Sequence, residues 1–189
     1  QLYQWLSGDK EIINFKIPRE ADMSDDVKNR LINIWNDYKV SVKNSSFVWK
    51  VAMKGLKTGE FLKKIKMQRV GFSCVFCKDN SVETIEHIFA ECNSLRKARD
   101  LILQFVKRLG VCVPEDRYQG QVFFCLGLTS DDKSKEMNRL IFECVAECNS
   151  VIWLTRNNIV FEHQLSCDKV IEVEKKVDYI CERTYKEKF

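Results

Sequence analysis

Phe72-Ser-Cys74-Val-Phe-Cys77-Lys-Asp-Asn-Ser-Val-Glu83-Thr-Ile-Glu-His87-Ile-Phe-Ala-Glu-Cys92 is the stretch on which the reading of this chain turns. Two thiols three positions apart, as in Cys74 and Cys77, can converge from a tight turn on one ion about 2.3 Å from each sulfur. His87 and Cys92 follow, five positions apart. On a straight helix five steps of about 100° would leave them about 140° from each other. A helix is therefore expected from Glu83 to about Phe89, unwinding before Cys92 so that the last two ligands can close a tetrahedron. Three thiolates and a neutral imidazole fill such a site and leave no open position for water, which points to structural Zn2+ rather than catalytic metal. The net charge of that site is near −1.

Outward from the cluster, the sequence reads as helical. Ser24 followed by Asp25 and Asp26 is a helix start, with Val27, Leu31, Ile34, Trp35 and Tyr38 at helical spacing. A second helix is expected from Ser45 or Ser46, turning Phe47, Val48, Val51, Ala52 and Leu56 inward. A third runs from Thr58 to Met67 and buries Phe61, Leu62 and Ile65. Beyond the cluster, Ser94 is the expected cap of a helix closed by Gly110 and Pro114. Residues 118–128 are too short an apolar run to assign. A long helix is expected from near Ser130, with Asp131 and Asp132 in its first turn, and a last one from Ser166. The fold class this implies is all-α: a helical bundle with a small CCHC zinc knuckle inserted between helices. The expected seam falls at Pro114, dividing a knuckle-bearing region (1–113) from a C-terminal helical region (114–189), with packing as one body left open.

Charge is distributed unevenly. The chain as a whole carries +4, whereas Lys50–Arg69 alone carries +6 and residues 93–117 a further +3. The positive charge thus brackets the cysteine–histidine cluster, and this selects Lys54, Lys57, Lys63, Lys64, Lys66, Arg69, Arg96, Lys97 and Arg99 as candidates for phosphate contacts. An ordinary solvated surface is the competing reading of the same lysines. Phe72, Val75 and Phe76 are either a stacking or apolar surface for an unpaired base or packing around the metal.

Nine cysteines cannot pair completely within one chain, and their spacing is not that of a secreted disulfide framework. A reducing, intracellular setting (nucleus and/or cytoplasm) is expected, with Cys112, Cys125, Cys144, Cys148, Cys167 and Cys181 as free, mostly buried thiols. Cys144 and Cys148 lie four apart on one helical face, but the only further obvious ligand in sequence is His163. No apolar run is long enough to span a membrane. The chain starts at Gln1 rather than Met, which is read as a piece of something longer.

The run Phe47-Val-Trp49-Lys-Val-Ala-Met-Lys-Gly55-Leu56-Lys-Thr58-Gly59-Glu-Phe-Leu62, then the cluster with its Glu83-Thr84-Ile-Glu86-His87-Ile-Phe89 segment, resembles the zinc-binding region near the C-terminus of non-LTR (LINE-type) retrotransposon reverse transcriptases. Ile152-Trp153-Leu-Thr-Arg156-Asn157-Asn-Ile-Val-Phe161 also resembles a helix found downstream of that region. The resemblance implies Cys74, Cys77, His87 and Cys92 as metal ligands, element RNA or target DNA as partner, and an RNA-directed DNA polymerase upstream of Gln1 in the same polyprotein. It assigns no nucleic-acid contact position by position.

Nothing in the sequence supports catalysis by this segment. There is no paired-aspartate polymerase signature, no restriction-like nuclease signature and no Gly-rich phosphate loop, and His87 is committed to metal. The expected function is a nucleic-acid-binding module with structural zinc. The alternatives are a protein-interaction or scaffolding module docked on the upstream polymerase, motivated by the neutral-to-acidic helices after Pro114, and a domesticated derivative of such an element, which an intact upstream polymerase frame would refute.

Overall fold

Among the residues described in the computed structural model, seven α-helices follow one another: α1 (Asp25–Trp35), α2 (Val42–Ala52), α3 (Gly59–Lys64), α4 (Arg96–Arg108), α5 (Arg117–Leu126), α6 (Lys135–Glu162) and α7 (Ser166–Lys188). The structure describes residues 23–37, 39–67, 71–77, 79–113, 116–129, 134–162 and 166–188. Tyr38, Arg69, Pro114, Ser130, Asp131, Asp132 and His163 lie outside them, as does the side chain of Cys167. Among the described residues there is no strand, only an isolated antiparallel bridge between Ser73 and Val82. The fold is all-α with the Cys74, Cys77, His87, Cys92 cluster set between helices.

α7 packs against both α6 and α4, while α2 lies on α6 and α5. One continuous buried cluster joins Val48, Val51, Ile102, Phe105 and Val106 to Phe123, Ile141, Phe142, Val145 and Val177. Residues on both sides of position 114 therefore share a core. Burying each of the larger apolar side chains contributes about 1.5–3 kcal/mol, so this shared core is what positions the cluster against α5 and α6.

Helix starts follow side-chain chemistry where a local cap exists. Ser24 Oγ accepts from Val27 N at 3.4 Å, Thr58 Oγ1 from Phe61 N at 3.3 Å and Asp116 Oδ1 from Gln119 N at 2.9 Å. The last of these starts α5, so that residues 118–126 of the unassigned run are helix and Gly127, at a left-handed φ of 70°, ends it. At the end of α4, Gly110 has a left-handed φ of 70°, a conformation that costs glycine nothing.

Three expectations are corrected. α2 begins at Val42, a turn before Ser45, because its first turn is held from a distance: Ser41 N and Asn44 Nδ2 both donate to the Glu143 carboxylate on α6. α3 ends at Lys64 rather than Met67, since Lys66 takes a left-handed φ of 55°, and Ile65 is exposed rather than buried. Ser94 does not cap a helix; it lies within a 3-10 turn, Asn93–Leu95, ahead of α4. Asn149, buried in α6, donates to the Phe124 carbonyl at 2.6 Å and ties α6 to α5.

Gly59 marks the tightest backbone approach near the cluster. A Cβ at this position would lie 2.1 Å from the Phe72 carbonyl oxygen, a backbone atom that cannot swing away. We predict that Gly59→Ala destabilises the chain by about 1–3 kcal/mol or more. Thermal unfolding monitored by circular dichroism would show the drop, and an unchanged midpoint would mean that residues 59 and 72 do not approach each other.

Candidate metal centre

The first pair of ligands comes from a short hairpin. Cys74 N donates to the Ser81 carbonyl and Glu83 N to the Phe72 carbonyl, both at 2.9 Å. These two bonds fold residues 72–83 back on themselves and leave Cys74 and Cys77 on the turn. The second pair comes from a helix that changes pitch. His87 N donates to Thr84 Oγ1 at 2.9 Å at its start. Residues His87–Glu91 then form a π-helical turn, and Cys92 N donates to the His87 carbonyl at 2.7 Å. The expected unwinding before Cys92 is thus a widening by one residue per turn. An i to i+5 bond brings Cys92 back over His87, which a regular α-turn would not do.

All four ligand atoms lie within 4.8 Å of one another. Cys74 Sγ and Cys92 Sγ are 3.8 Å apart, and Cys77 Sγ and His87 Nε2 3.4 Å. A tetrahedral zinc with bonds of about 2.3 Å to sulfur and about 2.0 Å to nitrogen separates two sulfurs by about 3.8 Å, and sulfur from nitrogen by about 3.5 Å. The donor set and its spacing both fit the ion. All three cysteines are buried and His87 is only 9% exposed.

The electrostatics suit metal binding. Burial pushes the His87 imidazole below its ordinary pKa, favouring the neutral ring whose lone pair a metal needs. The Cys74 thiol holds Cys92 below its usual range by hydrogen bonding to it, while Cys74 itself is pushed up by the same bond and by burial. Burial also raises Cys77. Arg99 Nη1 donates to the Cys92 carbonyl at 2.8 Å, placing a guanidinium beside the thiolates.

The cluster is anchored to the helices by groups that residue spacing did not single out. Glu83 and Arg156 form a buried ion pair, with side-chain exposures of 1% and 2%. Arg156 Nη2 donates to Glu83 Oε1 at 2.6 Å, and Arg156 Nε reaches both carboxylate oxygens, at 3.0 and 3.2 Å. Gly59 N donates to the same Oε1 at 3.0 Å, and Glu60 N to the Glu83 carbonyl at 2.9 Å. A single residue thus ties α3, the cysteine hairpin and α6. The signal was present in sequence as a charge four positions from Ile152, on the apolar row of a helix. Glu91, in the π-turn, accepts from Arg117 Nη2 at 2.6 Å and from Gln121 Nε2 at 2.9 Å, which docks the turn on α5. The Arg117 hydrogen bond holds the Glu91 carboxyl below its ordinary pKa. Phe47 of α2 meets Phe89 edge-on, ring centroids 6.2 Å apart.

The nine basic candidates divide by environment. Lys57, Lys63 and Lys66 are exposed and have no ion-pair partner among the described residues. Lys64 pairs with Glu60 at 2.8 Å, Lys97 with Glu174 at 2.7 Å, Arg96 with Asp100 at 4.0 Å and Lys54 with Glu86 at 3.7 Å. Arg99 is turned inward to the Cys92 carbonyl, and Arg69 lies outside the described residues. Of the three apolar candidates, Phe76 is buried in the core, whereas Phe72 and Val75 are half-buried.

No curated protein and no solved structure matches the chain. The family model described as zinc-binding in reverse transcriptase matches residues 18–98, a span that contains α1, α2, α3 and all four ligands. Over that span the chain is similar to the zinc-binding domain of reverse-transcriptase-type proteins.

Proposed function

We propose that Cys74, Cys77, His87 and Cys92 hold one structural Zn2+, and that the module so stabilised binds single-stranded or duplex nucleic acid through its basic flank beside a polymerase. The observation that carries the reading is the group Lys57, Lys63 and Lys66, exposed and without acidic partners among the described residues, on the segment leading into the cluster. Cations already neutralised by a carboxylate gain less from a phosphate, so these three are the primary contacts. Lys64, Lys97, Arg96 and Lys54 would have to exchange partners. Ile65 and Met67, exposed between and beside the lysines, add apolar surface of the kind that unpaired bases meet. The reading assigns no catalytic step to this segment. Element RNA or target DNA of a LINE-type element is the natural polyanion for a domain of this family.

Replacing Lys57, Lys63 and Lys66 together by Glu is expected to weaken binding to a fluorescein-labelled RNA by more than tenfold. The slope of log affinity against log salt should also fall, by roughly 2–3, since each phosphate that a lysine neutralises adds about 0.7–0.9 to it. Zinc content and helicity should stay unchanged. Affinity that ignores both salt and the triple substitution would refute the proposal.

One further observation favours docking on a protein. Leu154 and Phe161 on α6, and Ile171 and Tyr179 on α7, are each more than half exposed. Apolar side chains in such numbers on two adjacent helices suit a partner of the same polyprotein, the upstream polymerase region. Co-purification that survives nuclease treatment would support this reading, and loss of the complex on nuclease treatment would support nucleic acid as the sole bridge.

A further inference from the structure

Three of the remaining buried thiols form a second group, distinct from the first cluster. Cys144 and Cys148 stand one turn apart on α6, and Cys181 reaches them from α7 across the interface that these two helices form. Their sulfur atoms all lie within 4.8 Å of one another, with Cys144 Sγ and Cys181 Sγ 3.9 Å apart. All three residues are buried, at 1%, 0% and 4% exposure. The third thiol of the group is Cys181. It could not be found from spacing, because it comes from a different helix.

We propose that Cys144, Cys148 and Cys181 form a second metal site, a three-thiolate pocket for a soft, thiophilic d10 cation. The donor set selects the ion. No histidine, aspartate or glutamate ligand atom joins the three sulfurs among the described residues, so hard cations that require oxygen are excluded. A structural zinc site normally takes four protein ligands, whereas three sulfurs alone suit a trigonal site. At about 2.3 Å from each sulfur, a trigonal ion spaces them about 4.0 Å apart, close to the 3.9 Å separation of Cys144 and Cys181. The ion displaces the thiol protons to solvent as the thiolates bind it. Buried cysteines ordinarily pack as small apolar groups, but packing alone does not require three sulfurs to converge at one point. Cys125, also buried, joins no such group among the described residues.

The test is titration of the zinc-loaded chain with Cd2+, followed by sulfur-to-cadmium charge-transfer absorption, by zinc release to a chromogenic chelator and by cadmium-113 NMR. The wild-type chain is expected to take up about two equivalents, one releasing zinc and one releasing none, and to give two cadmium resonances. Cys181→Ala should halve the uptake and remove one resonance. Cys144→Ala should do the same, keeping the test intact if one variant folds poorly. Cys125→Ala should retain both equivalents. Uptake of a single equivalent by the wild type, or of two by folded Cys181→Ala, would overturn the proposal.

Discussion

Cys92→Ser is expected to abolish zinc binding and to unfold the segment from the hairpin through the π-turn, and His87→Ala and Cys77→Ser should do the same. The reason is how little regular backbone structure this stretch has of its own. Among the described residues of 71–95 there is no regular α-helix longer than a turn, and two backbone bonds close the hairpin. Yet Ile85, Ile88, Phe89 and Leu95, which the stretch contributes to the core, are all buried. Structural zinc sites in small domains supply roughly 10–16 kcal/mol of apparent free energy at neutral pH, comparable to the whole stability of an ordinary domain. The measurement is zinc content by emission spectrometry together with thermal unfolding, with and without a strong chelator. Zinc at one equivalent in the wild type and a lost cooperative transition in the variants is the expected outcome. Unchanged unfolding after chelation would sink the structural role. The pH dependence has a definite sign. Protons compete with the metal for three thiolates and an imidazole, so zinc is retained at neutral pH and released as pH falls. The lowered pKa of His87 and Cys92 favours retention of the metal as pH falls, and the raised pKa of Cys74 and Cys77 opposes it.

Arg156→Met should cost about 3–5 kcal/mol, the range for stranding one member of a buried ion pair. It leaves the Glu83 carboxylate buried with Gly59 N as its remaining donor. For a domain of this size that corresponds to a fall in melting temperature of roughly 6–20 °C. The double variant Glu83→Gln with Arg156→Met should recover most of the loss. The buried charge disappears, and the glutamine amide oxygen can still accept from Gly59 N. A double-mutant cycle over the four proteins isolates the coupling. Additive effects, with the double variant as unstable as the sum of the two singles, would mean that the pair does not act as one unit. Zinc content separates this pair from the metal site itself: the variants should still bind an equivalent of zinc when folded.

The metal ligands and the buried ion pair differ in how legible they are in sequence. Four ligands could be named from residue type and spacing because metal coordination is local and chemically demanding. A Cys-x-x-Cys turn fixes two positions, and few other arrangements of His87 and Cys92 reach the same point. Helices with their own caps were equally legible, as at Ser24 and Thr58. The early start of α2 was not, because its cap is Glu143, about a hundred residues away. The basic flank was visible as a sum of charges. Which of those charges are free was not, since Lys97 meets Glu174 only when α4 packs on α7.

The helical class, the grouping of Cys74, Cys77, His87 and Cys92 and the excess of positive charge around it were all readable from the chain alone, because periodicity, ligand chemistry and charge are properties of short segments. Tertiary structure alone decided the π-turn that brings Cys92 over His87, the Glu83–Arg156 pair that ties the cysteine hairpin to α6, and the meeting of Cys181 with Cys144 and Cys148. Each of these depends on which helix faces are buried against which, and that choice is made by the whole core at once rather than by any neighbouring residues.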